Sequence, residues 1–200
     1  MENTRAKTTR NSLILLLTAT IWGMAFVSQS KGMDYMHPFT FNGVRSLIGA
    51  AGILVYILIS RKIAGDKAAK LDWKLNVRAG LLCGIFLTIA STLQQFGIKY
   101  TSVGKAGFIT TLYIIFVPMF GIFLKKKVAP VVWAAAGIAA VGMYLLCMTE
   151  SLRLGAGDIM VFLCAIAFAI QIMTVDHYAA RIDGAVVSCI QFTVCGVVCC

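Results

Sequence analysis

Long apolar stretches separated by short polar connections dominate this chain. Six of them are about 20 residues long, enough to cross roughly 30 Å of hydrocarbon as helices. They begin near Leu13, Pro38, Val77, Ala106, Val131 and Gly157, and a seventh begins near Gly184. Barrel strands would be shorter and would alternate apolar with polar positions, so the pattern predicts helices. The predicted fold is all-α, a polytopic transmembrane helix bundle.

The composition agrees with a membrane protein. Apolar residues make up 60% of the chain and charged residues 13%, which is far from the proportions of soluble domains. The net charge of +10 could indicate a nucleic-acid partner, but the basic residues lie between the apolar stretches. We therefore predict the lipid bilayer as a partner, and no nucleic acid.

The placement of the basic residues predicts the orientation. Alternate connections hold thirteen Lys and Arg residues on one side and four on the other. The richer side comprises Arg5, Lys7, Arg10, Arg61, Lys62, Lys67, Lys70, Lys74, Arg78, Lys125, Lys126, Lys127 and Arg181. The poorer side comprises Lys31, Lys99, Lys105 and Arg153. By the positive-inside rule, residues 1–11 form a cytoplasmic tail of a multi-pass cell-membrane protein, and we expect a bacterial one.

The sequence contains no arrangement typical of a catalytic or metal site. Seven cysteines lie in apolar stretches, without CxxC pairs or nearby His ligands, and we interpret them as small apolar residues. His37 and His177 lie in connections on opposite sides of the membrane, and we expect no Asp or Glu within the spans. We predict that the chain is not an enzyme and needs no metal or cofactor.

The order of several features resembles the EamA-like branch of the drug/metabolite transporter superfamily. No single feature is decisive, and the resemblance rests on their order and spacing. In sequence, these features are Trp22-Gly23, Lys31, Pro38, Arg45, Gln94-Gln95-Phe96-Gly97-Ile98-Lys99-Tyr100, Pro118, Trp133-Ala134-Ala135-Ala136-Gly137 and Gly157-Asp158.

The resemblance implies two inverted five-helix repeats. An offset of 146 residues places Pro38 on Gly184 and Arg45 on Gln191, which supports a repeat weakly. We expect the first repeat over residues 12–148 and the start of the second over residues 157–200. The last apolar run is short for a span, so we expect the chain to be truncated inside its seventh helix; a natural seven-helix protein is the alternative.

Several polar side chains in the outer half of the spans could bind a substrate. Arginine at membrane depth is costly unless it faces a cavity or a partner, although the stem of Arg45 could also snorkel to the interface. Asn42 lies on the same helix face and favours a polar pair. The candidate substrate-binding residues are Arg45, Asn42, Trp22, Gln95 and Tyr113.

Other features have structural interpretations at least as strong as functional ones. A polar stripe on the third stretch either lines a cavity or forms hydrogen bonds between helices. Its members are Thr88, Ser91, Thr92 and Gln95. Gly80-xxx-Gly84 and the Ala/Gly face of the fifth stretch favour close helix packing. Pro118 predicts a kink in the fourth helix.

We predict a secondary transporter, an exporter or permease, that carries small metabolites by alternating access. Arg45 would orient an anionic group such as a carboxylate, while Gln95, Tyr113 and Trp22 would shape the cavity. The expected partner is a small-molecule substrate, for which amino acids are one candidate class; a homodimer is one candidate assembly. The alternative from another class is a non-transporting seven-helix receptor or scaffold.

Single cysteines placed at Lys67 and at Gly155, with the native cysteines replaced, test the orientation. The charge asymmetry puts position 67 in the cytoplasm and position 155 outside. An impermeant thiol reagent added to intact cells should therefore label position 155 and leave position 67 unlabelled. Label at position 67 but not at position 155 would contradict the topology.

Overall fold

The computed structural model describes residues 2–64, 72–123, 129–147 and 155–200, and most of these residues are helical. The helices are α1 (Glu2–Gly32), α2 (Pro38–Ala64), α3 (Trp73–Tyr100), α4 (Val103–Thr111), α5 (Tyr113–Phe123), α6 (Pro130–Cys147), α7 (Ala156–Tyr178) and α8 (Gly184–Cys199). These ranges contain no strand. The predicted all-α fold is confirmed.

Part of the predicted charge pattern lies outside the described residues. The residues concerned are Lys67, Lys70, Lys125, Lys126, Lys127 and Arg153, together with residue 148 at the end of the expected first repeat. The orientation and the repeat boundaries therefore stay predictions. The segment expected as a tail, residues 1–11, is helical from Glu2 onwards and continues into the first span.

Five helical segments are long and apolar enough to cross a membrane among the residues that the structure describes. They are Thr8–Gly32, Pro38–Ile63, Trp73–Tyr100, Val103–Phe123 and Ala156–Tyr178. Two shorter apolar helices, at Pro130–Gly142 and Gly184–Cys199, correspond to the fifth and seventh predicted stretches. The predicted stretches thus all form helices, and five have the full length of a span.

The fourth predicted helix is interrupted between α4 and α5. At Leu112 the backbone N–H donates to Ile109 O at 3.2 Å, and Ile115 N–H donates to Leu112 O at 2.9 Å. These bonds join residues three apart, as in the tighter 3₁₀ geometry. The interruption was not predicted, because the sequence there has neither Gly nor Pro. Pro118 lies inside α5, where the kink stays a prediction.

Helix α3 is the centre of the bundle. It packs along α7 on one side and α8 on another, and α2 packs against α8. Gly80 and Gly84 of α3 face α8, because a Cβ atom on Gly80 would lie 2.7 Å from Ile190 Cβ and one on Gly84 would lie 2.8 Å from Val194 Cβ. The Gly80-xxx-Gly84 pair therefore serves close packing, as its structural interpretation predicted.

The Ala/Gly face of α6 packs closely only in part. Ala136 is buried, and it lies with Ala139 and Ala140 beside the junction of α4 and α5. Gly137 and Gly142 have open space where a Cβ atom would lie. Close packing on this helix therefore uses its alanines, and the expectation is wrong for these two glycines.

Substitution of Gly84 by alanine tests the α3–α8 contact. The added methyl has to displace Val194 or separate the helices, so Gly84→Ala should lower the free energy of unfolding by about 1–3 kcal/mol. Gly137→Ala is the matched control, because open space surrounds that position. It should leave stability unchanged or raise it by up to about 1 kcal/mol. Equal effects of the two changes in SDS-induced unfolding would contradict the packing argument.

Candidate substrate site

Arg45 and Asn42 form a polar pair on α2. Arg45 Nη2 donates a hydrogen bond to Asn42 Oδ1 at 3.0 Å, and Asn42 is fully buried. The guanidinium carbon lies 5.6 Å from the centroid of the Phe41 ring. Arg45 also borders an open groove of about 280 Å³. The spacing of three residues predicted this pair, and in the described ranges no carboxylate forms a salt bridge with Arg45.

Gln95 joins α3 to α1. Its side chain is fully buried, and its Nε2 donates to the backbone oxygen of Gln29 at 3.3 Å. Gln29 is 5% exposed and was not among the predicted site residues. The contact connects positions far apart in the sequence, so helical spacing could not reveal it. The sequence feature that could have indicated Gln29 is a glutamine near the end of an apolar span.

Three buried side-chain atoms have no hydrogen-bond partner within the described residues. They are Gln29 Oε1, Asn42 Nδ2 and Gln95 Oε1. An unpaired buried polar atom costs about 1–3 kcal/mol, so such atoms are rare in native proteins. Two acceptors and one donor are thus available to a bound molecule or to water.

These three residues lie at a similar depth in the bundle. Gln29 is close to the end of α1, Asn42 is close to the start of α2, and Gln95 is close to the end of α3. At 1.5 Å of rise per residue, each lies within about 8 Å of its helix end. The rings of Phe39 and Phe96, 5.3 Å apart, hold the start of α2 against the end of α3.

Trp22 and Tyr113 lie apart from this group. The Trp22 side chain is 49% exposed on α1, whose apolar side chains mostly face outwards. The Tyr113 ring meets the Phe168 ring edge-on at 6.5 Å, where α5 packs against α7. The structure thus brings Arg45 and Asn42 into contact. The roles expected for Trp22 and Tyr113 stay predictions.

The polar stripe of α3 is mostly occupied by contacts with α8. Ser91 Oγ lies 3.5 Å from Cys195 Sγ, and Thr92 Oγ1 lies 3.8 Å from Cys199 Sγ. Thr88 donates its hydroxyl hydrogen to a backbone oxygen of its own helix. These contacts favour structural hydrogen bonding over cavity lining for this part of the stripe. Gln95 also bonds to another helix, but its side-chain oxygen has no described partner.

Two acidic residues lie within a span, which corrects the sequence analysis. We expected no Asp or Glu in the spans, but α7 includes Asp158 in its first turn and Asp176 near its end. Asp158 is 3% exposed, and its Oδ2 lies 3.1 Å from Lys105 Nζ. It also accepts hydrogen bonds from Gly155 N–H, at 2.9 Å, and from the Thr101 hydroxyl. Asp158 therefore ties together the adjoining ends of α3, α4 and α7, a structural role.

The apolar helices define an all-α, multi-pass membrane protein. Residues 10–148 match the EamA-like transporter family, and the chain belongs to this family. The resemblance stated from the sequence is confirmed.

A curated relative supports the family assignment. An uncharacterized transporter of Archaeoglobus fulgidus is 30% identical over 171 residues, which are 82% of this chain and 48% of that protein. The chain thus spans about half the length of this curated relative. No solved structure matches the chain.

Two buried glutamines, Gln94 of α3 and Gln29 of α1, offer a test of the unpaired atoms. The Gln94 amide donates to Thr110 Oγ1 at 3.3 Å, whereas Gln29 Oε1 has no described partner. Gln94→Leu should therefore lower the free energy of unfolding by about 1 kcal/mol, while Gln29→Leu should leave it unchanged or raise it. The measurement is SDS-induced unfolding of both variants. A larger loss for Gln29→Leu than for Gln94→Leu would show that Gln29 is paired in the folded protein.

Proposed function

We propose that this chain forms part of a secondary membrane transporter, an exporter or permease, that carries small metabolites. Its membership of the EamA-like transporter family and the name of its archaeal relative support the proposal. The observation that carries it is the group of unpaired buried atoms on Gln29, Asn42 and Gln95. A protein selected only for stability would lose such atoms, since each one costs free energy.

Arg45 gives this group its preference for charge. A guanidinium presents a planar fork of N–H donors that fits a carboxylate, and Asn42 Oδ1 engages one of its nitrogens. The adjoining groove of about 280 Å³ leaves room beside the other donors. We infer that the substrate carries an anionic group, and that Arg45 is held in position for it by Asn42.

The unpaired oxygens extend the match to a second group. Gln29 Oε1 and Gln95 Oε1 are acceptors, so they suit an N–H donor such as an ammonium group. A molecule with a carboxylate and an ammonium group would satisfy both ends, which makes amino acids one class that fits. Trp22 and Tyr113 would then line the path of the substrate.

The site would work by alternating access. In transporters with inverted repeats, a site near the midplane opens to one side and then to the other as the repeats move. In this chain α1 contacts the rest of the bundle sparsely, whereas α3 packs extensively against α7 and α8, and α2 against α8. We propose that α1 forms the wall that moves, and that α2, α3, α7 and α8 form the wall that stays.

Replacement of Arg45 tests the proposal. Arg45→Ala should lower the flux of labelled amino acids and other carboxylates about ten- to a hundredfold, since a charge-assisted bidentate contact is lost. Arg45→Lys should restore only part of the flux, because an ammonium group lacks the planar fork. Rates are compared at equal membrane abundance.

Lys99→Ala is the control for loss of a positive charge near the same end of the bundle. The Lys99 ammonium lies 6.0 Å from the Tyr100 ring centroid, and this change should leave flux unaltered. Snorkelling predicts a different result, in which lysine restores full flux and alanine is tolerated. Wild-type flux in Arg45→Ala would end the functional interpretation of this residue.

A further inference from the structure

A groove of about 700 Å³ runs along the first turns of α3, at the end opposite to Gln95. Its lining combines two cations with apolar walls: Trp73, Lys74, Val77, Arg78, Leu81 and Leu82. Lys74, Arg78 and Leu81 are spaced by four and three residues, so they share one helix face. We call this feature the α3 groove.

The two cations of the α3 groove are free to bind an anion. Lys74 and Arg78 are exposed, and no carboxylate of the described ranges lies within ion-pair distance of either. The neighbouring Asp72 caps the helix, because its Oδ1 accepts from Leu75 N–H at 3.1 Å. Cations at a helix N-terminus oppose the helix dipole, whereas an anion there is favoured by both the dipole and the cations.

The depth of these groups distinguishes a lipid from a soluble anion. Trp73 is the first residue of the span, and tryptophan is enriched at the membrane interface. The cations therefore lie near headgroup level, and the walls formed by Val77, Leu81 and Leu82 continue towards the acyl chains. A soluble anion would match the cations but would leave the apolar walls without a partner.

A second groove adjoins the first. It has a volume of about 470 Å³ and shares Leu82 with the α3 groove. Phe120, Phe123, Ile170 and Met173 contribute much of its lining, so it is largely apolar. Two adjacent, largely apolar grooves, one of which carries the pair of cations, match the two chains and single headgroup of a phospholipid.

We propose that the α3 groove binds an anionic phospholipid, with its headgroup on Lys74 and Arg78 and its chains along the apolar walls. In the predicted orientation this end of α3 lies in the cytoplasmic leaflet, where anionic lipids attract basic residues. The site is separate from Arg45 and Gln95, so it does not depend on the transport substrate. The simpler interpretation, that these cations only determine topology, predicts no retained lipid.

Native mass spectrometry of the detergent-purified chain tests the proposal. The chain is incubated with equal amounts of 1-palmitoyl-2-oleoyl phosphatidylglycerol and phosphatidylcholine, which differ in net charge but have the same chains. Each cation should favour the anionic lipid about fivefold, so the double variant Lys74→Gln/Arg78→Gln should lose about 25-fold of the preference. Arg78→Lys should keep most of it.

Two further variants separate this site from general effects of charge and folding. Lys99→Gln, which removes a cation at the other end of α3, should leave the preference unchanged. Leu81→Trp, which fills the apolar wall, should lower retention of both lipids. All variants are compared as monodisperse preparations with wild-type helix content.

Three results would overturn the proposal. They are equal retention of the two lipids by the unmodified chain, an undiminished preference in the double variant, and a loss in Lys99→Gln as large as that in the double variant. Displacement of phosphatidylglycerol by excess glycerol 3-phosphate would likewise show a site for soluble phosphates instead of a lipid.

Discussion

The close approach of α3 to α7 and α8 is the contact on which the rest of the structure depends. Helices in a bilayer gain little from burying apolar side chains against one another, since lipid tails are equally apolar. Dense backbone contact has to supply the attraction. At the α3–α7 crossing a Cβ atom on Gly157 would lie 2.9 Å from Gly97 O, and Gly80 and Gly84 admit α8 in the same way. Larger residues at these positions would separate the helices.

Polar contacts hold this centre at both ends. Asn76 Oδ1 accepts from Asp183 N–H at 2.8 Å where α8 begins. At the other end of α3, Asp158 at the start of α7 pairs with Lys105 of α4 and accepts a hydrogen bond from the Thr101 hydroxyl. Helices α1 and α2 have no comparable contact with α3 in the described ranges, apart from the Gln95–Gln29 bond and a few aromatic pairs. The unpaired oxygens of Gln29 and Gln95 therefore lie where α1 meets α3, a sparse contact, and binding sites that open and close are expected at such places.

The sequence predicted what depends on local patterns. The spans follow from runs of apolar residues, and the Arg45–Asn42 pair follows from a spacing of three on one helix. Other contacts depend on which helices meet, and the pattern of a single sequence does not reveal that. They are the Gln29–Gln95 contact, the Asp158–Lys105 pair and the packing of Gly84 against Val194. The interruption at Leu112 was not predicted for a different reason, which is that no residue there breaks a helix by its own propensity.

Gln94 and Gln95 show that hydrogen-bond pairing, and not residue type, distinguishes a packing residue from a candidate site residue. They are neighbours on α3 and equally buried, but a helix turns by about 100° per residue, so they face different helices. Gln94 faces α4 and donates to Thr110, which stabilises the bundle. Gln95 faces α1, and its oxygen is left without a described partner. A glutamine one position earlier finds a hydrogen-bond partner, so the unpaired oxygen of Gln95 results from the surface that Gln95 faces. The side of α3 that faces α1 therefore holds an acceptor that packing among the described residues does not use.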